Sequence, residues 1–283
     1  MMEWVFEVRT FGLRTIKDEI GMKRHSLTWY EQSFSQDYLA VYKHRDRQDP
    51  VADVQNMLRW LRLPEGARVF DLCCGMGRHA MALAECGFQV TGMDMSKTML
   101  TEAKREDREG LVTWLKGDVR RIPVRRKFDA VINLFTSFGY FFSEDTENMK
   151  VLQQISRILH ENGQFVIDFL NPDYLARNLV PESERTEGEV RICEKRSIQY
   201  GFVVKQVVIC EPERPERTYT DRIKLYKLQD FKRMLSEACL VIKQEYGSYG
   251  GDPYDEGESP RLIIVGGKQP RPVNMTGSGR SPY

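Results

Sequence analysis

The sequence predicts an α/β fold in which helices flank a mostly parallel β-sheet and a second, antiparallel sheet is inserted late in the chain. From residue 68 to residue 170, short apolar runs alternate with helical patterns, as in successive βαβ units. From residue 189 to residue 228, the pattern changes to β-rich runs separated by Gly and Pro turns. A helix at 229–238 and two strands, at 241–246 and 261–266, then close the domain.

Two helices are expected before the first strand. In the first, at 29–45, Tyr30, Phe34, Tyr38 and Tyr42 are spaced by four residues and share one helical face. The second spans 51–63 and is amphipathic. Strands then follow at 68–72, 89–94, 112–116, 128–133 and 164–170, with helices at 78–85, 96–105 and 146–159. We expect one domain over residues 29–267, an N-terminal extension at 1–28 and a disordered tail at 268–283.

The composition argues against several classes of partner. The chain has 42 Lys and Arg against 41 Asp and Glu, so its net charge of +1 gives no global attraction for nucleic acid or an anionic membrane surface. No apolar run approaches the roughly 18 residues of a membrane span. The six cysteines lack CxxC spacing and His partners, so we expect no metal site. Reduced thiols and the lack of an apolar signal block in the first residues predict a cytoplasmic protein.

A glycine-rich loop joins the first predicted strand to the helix that follows it. It reads Asp71-Leu72-Cys73-Cys74-Gly75-Met76-Gly77. Glycines allow a tight turn and a close approach of ligand to the main chain, and the amides at a helix start are free donors. The Gly-x-Gly pattern alone is not specific, because an NAD(P)-dependent oxidoreductase would show it too.

Three acids at three strand ends make the prediction of the bound ligand more specific than the glycine loop alone does. Asp71, Asp94 and Asp118 each follow an apolar strand, and the carboxyl ends of parallel strands meet at one edge of a sheet. Asp71 would repel a dinucleotide's pyrophosphate but would suit a cationic amino-acid group. Asp94, 23 residues later, can accept both ribose hydroxyls of an adenosine, and Asp118 can accept the exocyclic amine of adenine.

This combination resembles the class I S-adenosylmethionine (SAM)-dependent methyltransferases, over residues 29–267. The stretch Asp71–Gly77 is similar to their first motif, with Cys73-Cys74 replacing the usual small residues. The resemblance implies a Rossmann-like sheet of seven strands with an antiparallel last strand, and SAM as cofactor. The cofactor-binding residues expected on this basis are Tyr30, Tyr42, Asp71, Cys73, Gly75, Gly77, Arg78, Asp94, Met95, Asp118, Val119, Asn133 and Phe135.

The loop after the fourth strand faces the reacting methyl in this interpretation. Five of the eight residues from Phe135 to Phe142 are aromatic. Candidates for accepting a proton are Tyr140 in this loop and Asp168 near the end of the fifth strand, although Asp168 is equally well explained as a structural acceptor. We assign no role to Tyr249 or Arg261.

The sequence is compatible with several interpretations of the methyl acceptor. The Asn/Asp-Pro-Pro-aromatic motif of methyltransferases that act on base amines is absent after the fourth strand, and the loop is similar to the small-molecule branch, especially amino-sugar N-methyltransferases. The reaction would be N- or O-methylation by in-line displacement. A basic cluster at 120–127 keeps an RNA methyltransferase as an alternative, and a non-catalytic SAM-binding module is another. The inserted sheet at 189–228 would close the substrate pocket or pair with a second copy in a homodimer.

Overall fold

The computed structural model describes residues 50–141 and 145–269. The N-terminal extension, the helix expected at 29–45 with Tyr30 and Tyr42, and residues 270–283 of the expected tail lie outside the described residues.

The described elements comprise helices and strands in the alternation expected from the sequence. In chain order the helices are α1 (Pro50–Leu61), α2 (Arg78–Glu85), α3 (Lys97–Glu106), α4 (Asp145–Ile158), α5 (Pro172–Asn178) and α6 (Leu228–Glu237). The strands are β1 (Arg68–Leu72), β2 (Gln89–Asp94), β3 (Thr113–Lys116), β4 (Phe128–Asn133), β5 (Leu159–Leu170), β6 (Glu182–Glu187), β7 (Val190–Gln199), β8 (Phe202–Cys210), β9 (Arg217–Lys224), β10 (Leu240–Tyr246) and β11 (Arg261–Lys268). No helix among the described residues is both long and apolar enough to cross a membrane.

The main sheet contains seven strands in the order β10-β11-β5-β4-β1-β2-β3. The five strands from β1 to β5 pair in parallel, and β11 pairs antiparallel with both β5 and β10. This confirms the predicted mostly parallel sheet of seven strands with an antiparallel last strand. The order reverses between β1 and β4, and ligands of open α/β sheets bind outside the carboxyl ends at such a switch point.

Strand β1 shows how the sheet separates two apolar layers. Phe70 and Leu72 are fully buried in one cluster, which also contains Leu152 of α4 and Phe231 of α6. Val69 belongs to the cluster on the other side, which contains residues of α1 and α2. Alternate residues of a strand point to opposite faces, so the apolar run of β1 is the pattern of a strand covered on both sides.

A four-stranded antiparallel sheet, in the order β6-β7-β8-β9, is inserted between α5 and α6. It lies against the loop after β4, where the backbone N–H of Lys224 donates to the carbonyl of Gly139 at 2.9 Å. A Cβ at Gly139 would lie 2.9 Å from the Lys224 carbonyl oxygen, and the φ of this residue is +88°. Glycine is therefore required here, both by the backbone conformation and by the close approach of the Lys224 backbone.

Two elements begin at least five residues earlier than the sequence-based expectation. The inserted sheet begins at Glu182, because the polar segment Glu182–Glu187 forms the edge strand β6; its alternation is one of exposure, which an all-polar sequence does not reveal. Strand β5 begins at Leu159, and its pairing with β4 shifts between Phe128 and Ala130, so residues 160–163 form an irregular start of this strand.

Candidate active site

A cavity of about 620 Å³ lies between the carboxyl edge of the main sheet and the inserted sheet. Its walls include nine of the residues that the sequence nominated: Asp71, Cys73, Gly75, Arg78, Asp94, Met95, Val119, Phe135 and Tyr140. The remaining nominated residues within the described ranges, Gly77, Asp118, Asn133 and Asp168, are not in the wall. The volume is that of a site for one or two small molecules.

The glycine loop is held in a conformation that leaves one side open. Cys73 and Gly75 have φ values of 62° and 56°, in the left-handed region. A Cβ built on Gly75 meets no atom within 4 Å. A Cβ on Gly77, in contrast, would lie only 2.1 Å from the Trp114 ring. Gly75 thus provides the open cradle, whereas Gly77 is small because the indole of Trp114 packs against it.

Asp94 at the end of β2 fixes the loop while facing the cavity. Its Oδ2 accepts from the Gly75 amide at 2.9 Å and its Oδ1 accepts from the Ser96 amide at 2.8 Å. Ser96 in turn caps α3 by accepting from the Met99 amide. Burial raises the pKa of Asp94 despite these hydrogen bonds. The carboxylate is therefore oriented in advance, and its charge is incompletely compensated.

Asp71 lies beside Asp94 in the wall of the cavity. It is 3% exposed. Burial and the charge of Asp94 raise its pKa to about 7, although Arg78 opposes the shift. Two neighbouring carboxylates, Asp71 buried and Asp94 half-buried, that lack a full complement of cations favour a ligand that brings a positive charge and hydrogen-bond donors. These two acceptors fit SAM, whose ammonium group and ribose hydroxyls are hydrogen-bond donors.

Asp118 follows β3 but is bound by a neighbouring cation. Both of its oxygens accept from the Arg120 guanidinium, at 2.6 to 3.1 Å, and Arg120 also reaches Glu147 at 2.8 Å. Partial burial raises the pKa of Asp118, but the Arg120 hydrogen bonds outweigh it and hold that pKa below its usual range. Its neighbour Val119 is the residue that reaches the cavity. The adenine-amine assignment of Asp118 stays a prediction, in which Arg120 would share the carboxylate.

The loop after β4 is anchored by Asp168 of β5. Phe135 and Thr136 have φ values of 53° and 62°, which are uncommon for residues with a side chain. The carboxylate of Asp168, fully buried, accepts from the Phe135 amide at 2.9 Å and the Tyr249 hydroxyl at 3.0 Å. Arg261 donates to Asp168 at 2.8 Å and to the Thr136 hydroxyl at 2.8 Å. We refer to Asp168, Tyr249 and Arg261 as the Asp168 anchor.

Three aromatic side chains pack around the anchored loop. The Phe135 ring stacks between His79, at 5.2 Å between centroids, and Tyr249, at 5.8 Å. The Arg78 guanidinium lies over the same ring at 4.5 Å. Burial lowers the pKa of His79, although Asp53 opposes this. Phe135 therefore presents a fixed apolar surface to the cavity next to the glycine loop.

The contacts of Asp168 and Asn133 bear on their sequence-based assignments. Asp168 is not in the cavity wall and accepts from the Phe135 amide and from Arg261, as its structural alternative expects; its proton-accepting role stays a prediction. Asn133 is buried and donates to the Leu72 carbonyl at 2.9 Å, joining β4 to β1. Tyr249 and Arg261, to which the sequence assigned no role, complete the Asp168 anchor.

The inserted sheet supplies wall residues that sequence reasoning missed. They are Arg196, Val203, Lys205, Asp221 and Ile223, on three adjacent strands. Asn171, which follows β5, is not in the cavity wall: it caps α5 by accepting from the Asp173 amide and donates to the Ser259 carbonyl at 2.8 Å. Among the described residues, no group of three or more His, Cys, Asp or Glu side chains is placed to hold a metal ion.

Sequence comparisons identify the family. A family profile described as a methyltransferase domain matches residues 69–163. A putative methyltransferase of a Geobacillus species, GWCH70_2453, is 30% identical over 225 residues, covering 76% of this chain and 90% of the relative. The chain belongs to the SAM-dependent methyltransferase family. The nicotinamide alternative receives no support from these matches.

Further relatives differ in how much of their length is matched. The putative methyltransferase YqeM of Bacillus subtilis is 30% identical over 129 residues, but the chain spans only about half of it, 51%. The methyltransferase is also 24% identical over 232 residues to dTDP-3-amino-3,4,6-trideoxy-alpha-D-glucopyranose N,N-dimethyltransferase of Streptomyces venezuelae, covering 78% of this chain and 96% of that one.

Solved structures show the same fold at low identity. A SAM-dependent methyltransferase from Clostridium acetobutylicum superposes with a TM-score of 0.71 at 18% identity, covering 83% of this chain and 98% of the other. SAM-bound CalS10, an amino pentose methyltransferase from Micromonospora echinaspora, gives a TM-score of 0.62 at 21% identity, with 83% and 98% coverage.

Proposed function

We propose that this methyltransferase transfers a methyl group from SAM to a nitrogen atom of a small-molecule acceptor held in the cavity between its two sheets. The observation that carries the proposal is the shared cavity, whose walls combine the glycine loop and its acids with polar residues of the inserted sheet. The amino-sugar N,N-dimethyltransferase relative supports nitrogen as the acceptor atom. O-methylation would require a stronger base to remove the hydroxyl proton.

In this proposal, each residue in the cofactor half of the cavity has a defined role. SAM, when bound, supplies a methyl group that is already activated on a sulfonium. Asp71 would bind the ammonium group and Asp94 the ribose hydroxyls. Gly75, which has no side chain, would let the ligand approach the main chain closely. Cys73, Arg78, Met95, Val119 and Phe135 would line the remaining surface. Tyr140, in the wall beyond Phe135, stays our candidate for accepting the amine proton.

Three of the five cations in the basic cluster at 120–127 are engaged within the fold, which weakens the case for an RNA acceptor. Arg120 is engaged by Asp118 and Glu147, Arg126 donates to the Thr91 hydroxyl, and Lys127 donates to the Arg157 carbonyl. Cations already engaged in the fold contribute less to phosphate binding. We therefore propose a small molecule in place of RNA.

Ligand-induced stabilisation tests the cofactor, and label transfer tests the acceptor. S-adenosylhomocysteine at 100 times its dissociation constant should stabilise the protein by about 2.7 kcal/mol, whereas NADH should have no effect. Methyl-labelled SAM should then label amine-bearing small molecules and leave RNA unlabelled. Stabilisation by NADH alone, or transfer to RNA alone, would contradict the proposal.

We also propose a cytoplasmic location, which the six free cysteines support. Cell fractionation is the corresponding measurement. The homodimer stays a prediction, and sedimentation velocity of the purified full chain tests it.

A further inference from the structure

One face of the inserted sheet continues beyond the cavity into an apolar patch. Residues that lie directly opposite each other on neighbouring strands share a face of the sheet. On this face, β7 and β8 contribute three such pairs: Ile192 with Ile209, Glu194 with Val207, and Arg196 with Lys205. Arg196 and Lys205 line the cavity, whereas the other two pairs lie outside its wall. We call this side of the inserted sheet the covered face.

The covered face is shielded from solvent along its length. Ile192, Val207 and Ile209 are each 0% exposed, and the Glu194 side chain beside them is 6% exposed. On the opposite face of β7, the side chains at 191 and 195 are 58% and 64% exposed. Alternate residues of a strand point to opposite faces, so one side of this sheet is covered and the other is open to solvent.

A single sheet cannot bury its own face, so another part of the chain must cover it. Among the described residues, the cluster around Ile192, Val207 and Ile209 contains only side chains of the inserted sheet itself. These three side chains are inaccessible in a single copy of the chain, so a second copy is not needed to cover them. The segments left to supply the cover are 1–49, 142–144 and 270–283.

Two of these segments are poorly suited to the covered face. Residues 142–144 are too few to cover several strands. Strand β11 pairs antiparallel with β5, with Arg261 opposite Leu170, so β11 ends at the amino edge of the parallel strands, opposite the cavity. Residues 270–283 therefore follow from the wrong edge of the sheet. Their large apolar side chains are only Val273, Met275 and Tyr283.

The N-terminal segment is suited by both position and chemistry. Helix α1 begins at Pro50, and Oδ2 of Asp53 in its first turn lies 3.7 Å from Nε2 of His79, a residue of the cavity wall. The residues before Pro50 therefore join the described structure beside the cavity. The helix expected at 29–45, with four aromatic residues on one face, would be about 25 Å long at 1.5 Å per residue. Four strands about 4.8 Å apart span only about 14 Å.

We propose that residues 29–45 pack on the covered face of the inserted sheet and form a third wall of the cavity. The aromatic side chains at 30, 34, 38 and 42 contact the apolar patch of Ile192, Val207 and Ile209. Because the same face continues into the cavity at Arg196 and Lys205, the segment also borders the space for the acceptor. This inference concerns the position of a segment and does not depend on the acceptor atom.

Photo-crosslinking in the full chain tests this position. p-Benzoylphenylalanine takes the place of Phe34 in one variant and of Tyr38 in another, and mass spectrometry maps the crosslinked peptides after irradiation. We expect crosslinks from at least one of these positions to β7 or β8. The matched control carries the same group in place of Met275, in the C-terminal segment, and should give no crosslink to these strands.

A mixture of isotopically labelled and unlabelled chains distinguishes crosslinks within one chain from crosslinks between two copies. The inference is overturned if neither the Phe34 nor the Tyr38 position crosslinks to β7 or β8. It is also overturned if the Met275 position reaches these strands, or if crosslinks to them form only between copies.

A double-mutant cycle then asks whether the contact contributes to stability. The variant Phe34→Ala/Tyr38→Ala is combined with Val207→Ala on the covered face and, separately, with Val208→Ala on the opposite face of the same strand. Denaturant titration gives the unfolding constants. With Val207→Ala, the combined effect should fall short of the product of the separate effects by about threefold or more, because residues in contact are not additive. With Val208→Ala, the product should hold within about twofold.

The comparison of the two valines decides the outcome of the cycle. Additive effects for both, or a larger coupling to Val208 than to Val207, would contradict the inference. If Val207→Ala does not fold, the crosslinks alone decide, since they need no substitution in the inserted sheet.

Discussion

Buried carboxylates occur in two regions of this methyltransferase, and the two regions treat them differently. At the rim of the main sheet, Asp71 and Asp94 have raised pKa values because burial is only partly offset by hydrogen bonds and Arg78. Elsewhere in the main sheet and in the inserted sheet, Asp168 and Asp221 are as buried as Asp71 but lie beside Arg261 at 2.7 Å and Lys205 at 3.3 Å.

The difference separates acids that hold the fold from acids that wait for a ligand. Burying a charge without a partner is costly, and an ion pair within the fold offsets that cost. The Asp168 anchor offsets it in the free protein. At the rim, the cost of burying the charges of Asp71 and Asp94 is offset only when a cationic ligand binds. A SAM site requires such uncompensated acids, because SAM is cationic. Removing an acid should therefore affect stability in one region and affinity in the other.

The largest effect is expected from the Asp168 anchor. Asp168→Ala leaves Arg261, the Tyr249 hydroxyl and the Phe135 amide without their acceptor. The free energy of unfolding should fall by about 3 to 5 kcal/mol, as for other broken buried pairs. Denaturant titration measures this, and Asp173→Ala, at an acid of α5 whose Lys227 partner is half exposed, is the matched control. Unchanged stability would show that the anchor is dispensable.

The next effect is expected at Asp94. Asp94→Ala should weaken S-adenosylhomocysteine binding by about 100-fold, the loss of two hydrogen bonds to a charged group. The Gly75 amide also loses its acceptor, so part of this loss comes from a looser loop. Calorimetric titration gives the affinity, and far-UV circular dichroism checks that the fold is retained. Wild-type affinity in this variant would refute the site assignment.

Asp71 should show the opposite response of stability to that of Asp168. Asp71→Asn removes a buried charge, so at pH 8 the free energy of unfolding should be unchanged or slightly higher. Binding of S-adenosylhomocysteine should weaken by about tenfold, because the ligand's ammonium group loses its counter-charge. Thermal melts with and without ligand measure both. Loss of stability without loss of affinity would place Asp71 among the structural acids.

The raised pKa of Asp71 also predicts a pH dependence. The folded state binds the Asp71 proton more tightly than the unfolded state, so this group's stabilisation is lost as pH rises from about 3.8 to about 7. Ligand affinity should change in the opposite sense, falling as pH drops below about 7 and the carboxylate is neutralised. Both trends should be reduced in Asp71→Asn, and the remainder reports Asp94, whose pKa is also raised.

The rim could be predicted from the sequence because its signals are local. Asp71 and Asp94 each stand near the end of an apolar strand, Gly75 follows the first of these strands, and the parallel order then places all three at one edge. The observed sheet confirms the predicted fold class, and the sequence comparisons confirm the predicted methyltransferase family. Asp118 shows the limit of the argument: its position was expected, but its pairing with Arg120 depends on side-chain conformations that no pattern encodes.

The Asp168 anchor and the Lys205–Asp221 ion pair of the inserted sheet could not be predicted, for a different reason. Asp168 and Arg261 are 93 residues apart and meet only through the antiparallel register of β5 and β11. Lys205 and Asp221 face the cavity only because of the strand pairing within the inserted sheet. Long-range register decides both, and a change of one residue in either would move the side chains to the other face.

The smallest effect on stability distinguishes the open cradle from an ordinary turn. Gly75 and Gly188, in the β6–β7 turn, have φ values of 56° and 61°, and a Cβ at either meets no atom within 4 Å. Alanine at each should therefore cost about 1 kcal/mol of unfolding free energy, from the left-handed backbone alone. Only Gly75 lines the cavity, so only Gly75→Ala should also weaken S-adenosylhomocysteine binding. Equal affinities for the two variants would mean that the ligand does not approach the main chain at Gly75, and the cradle would then have to lie elsewhere on the rim.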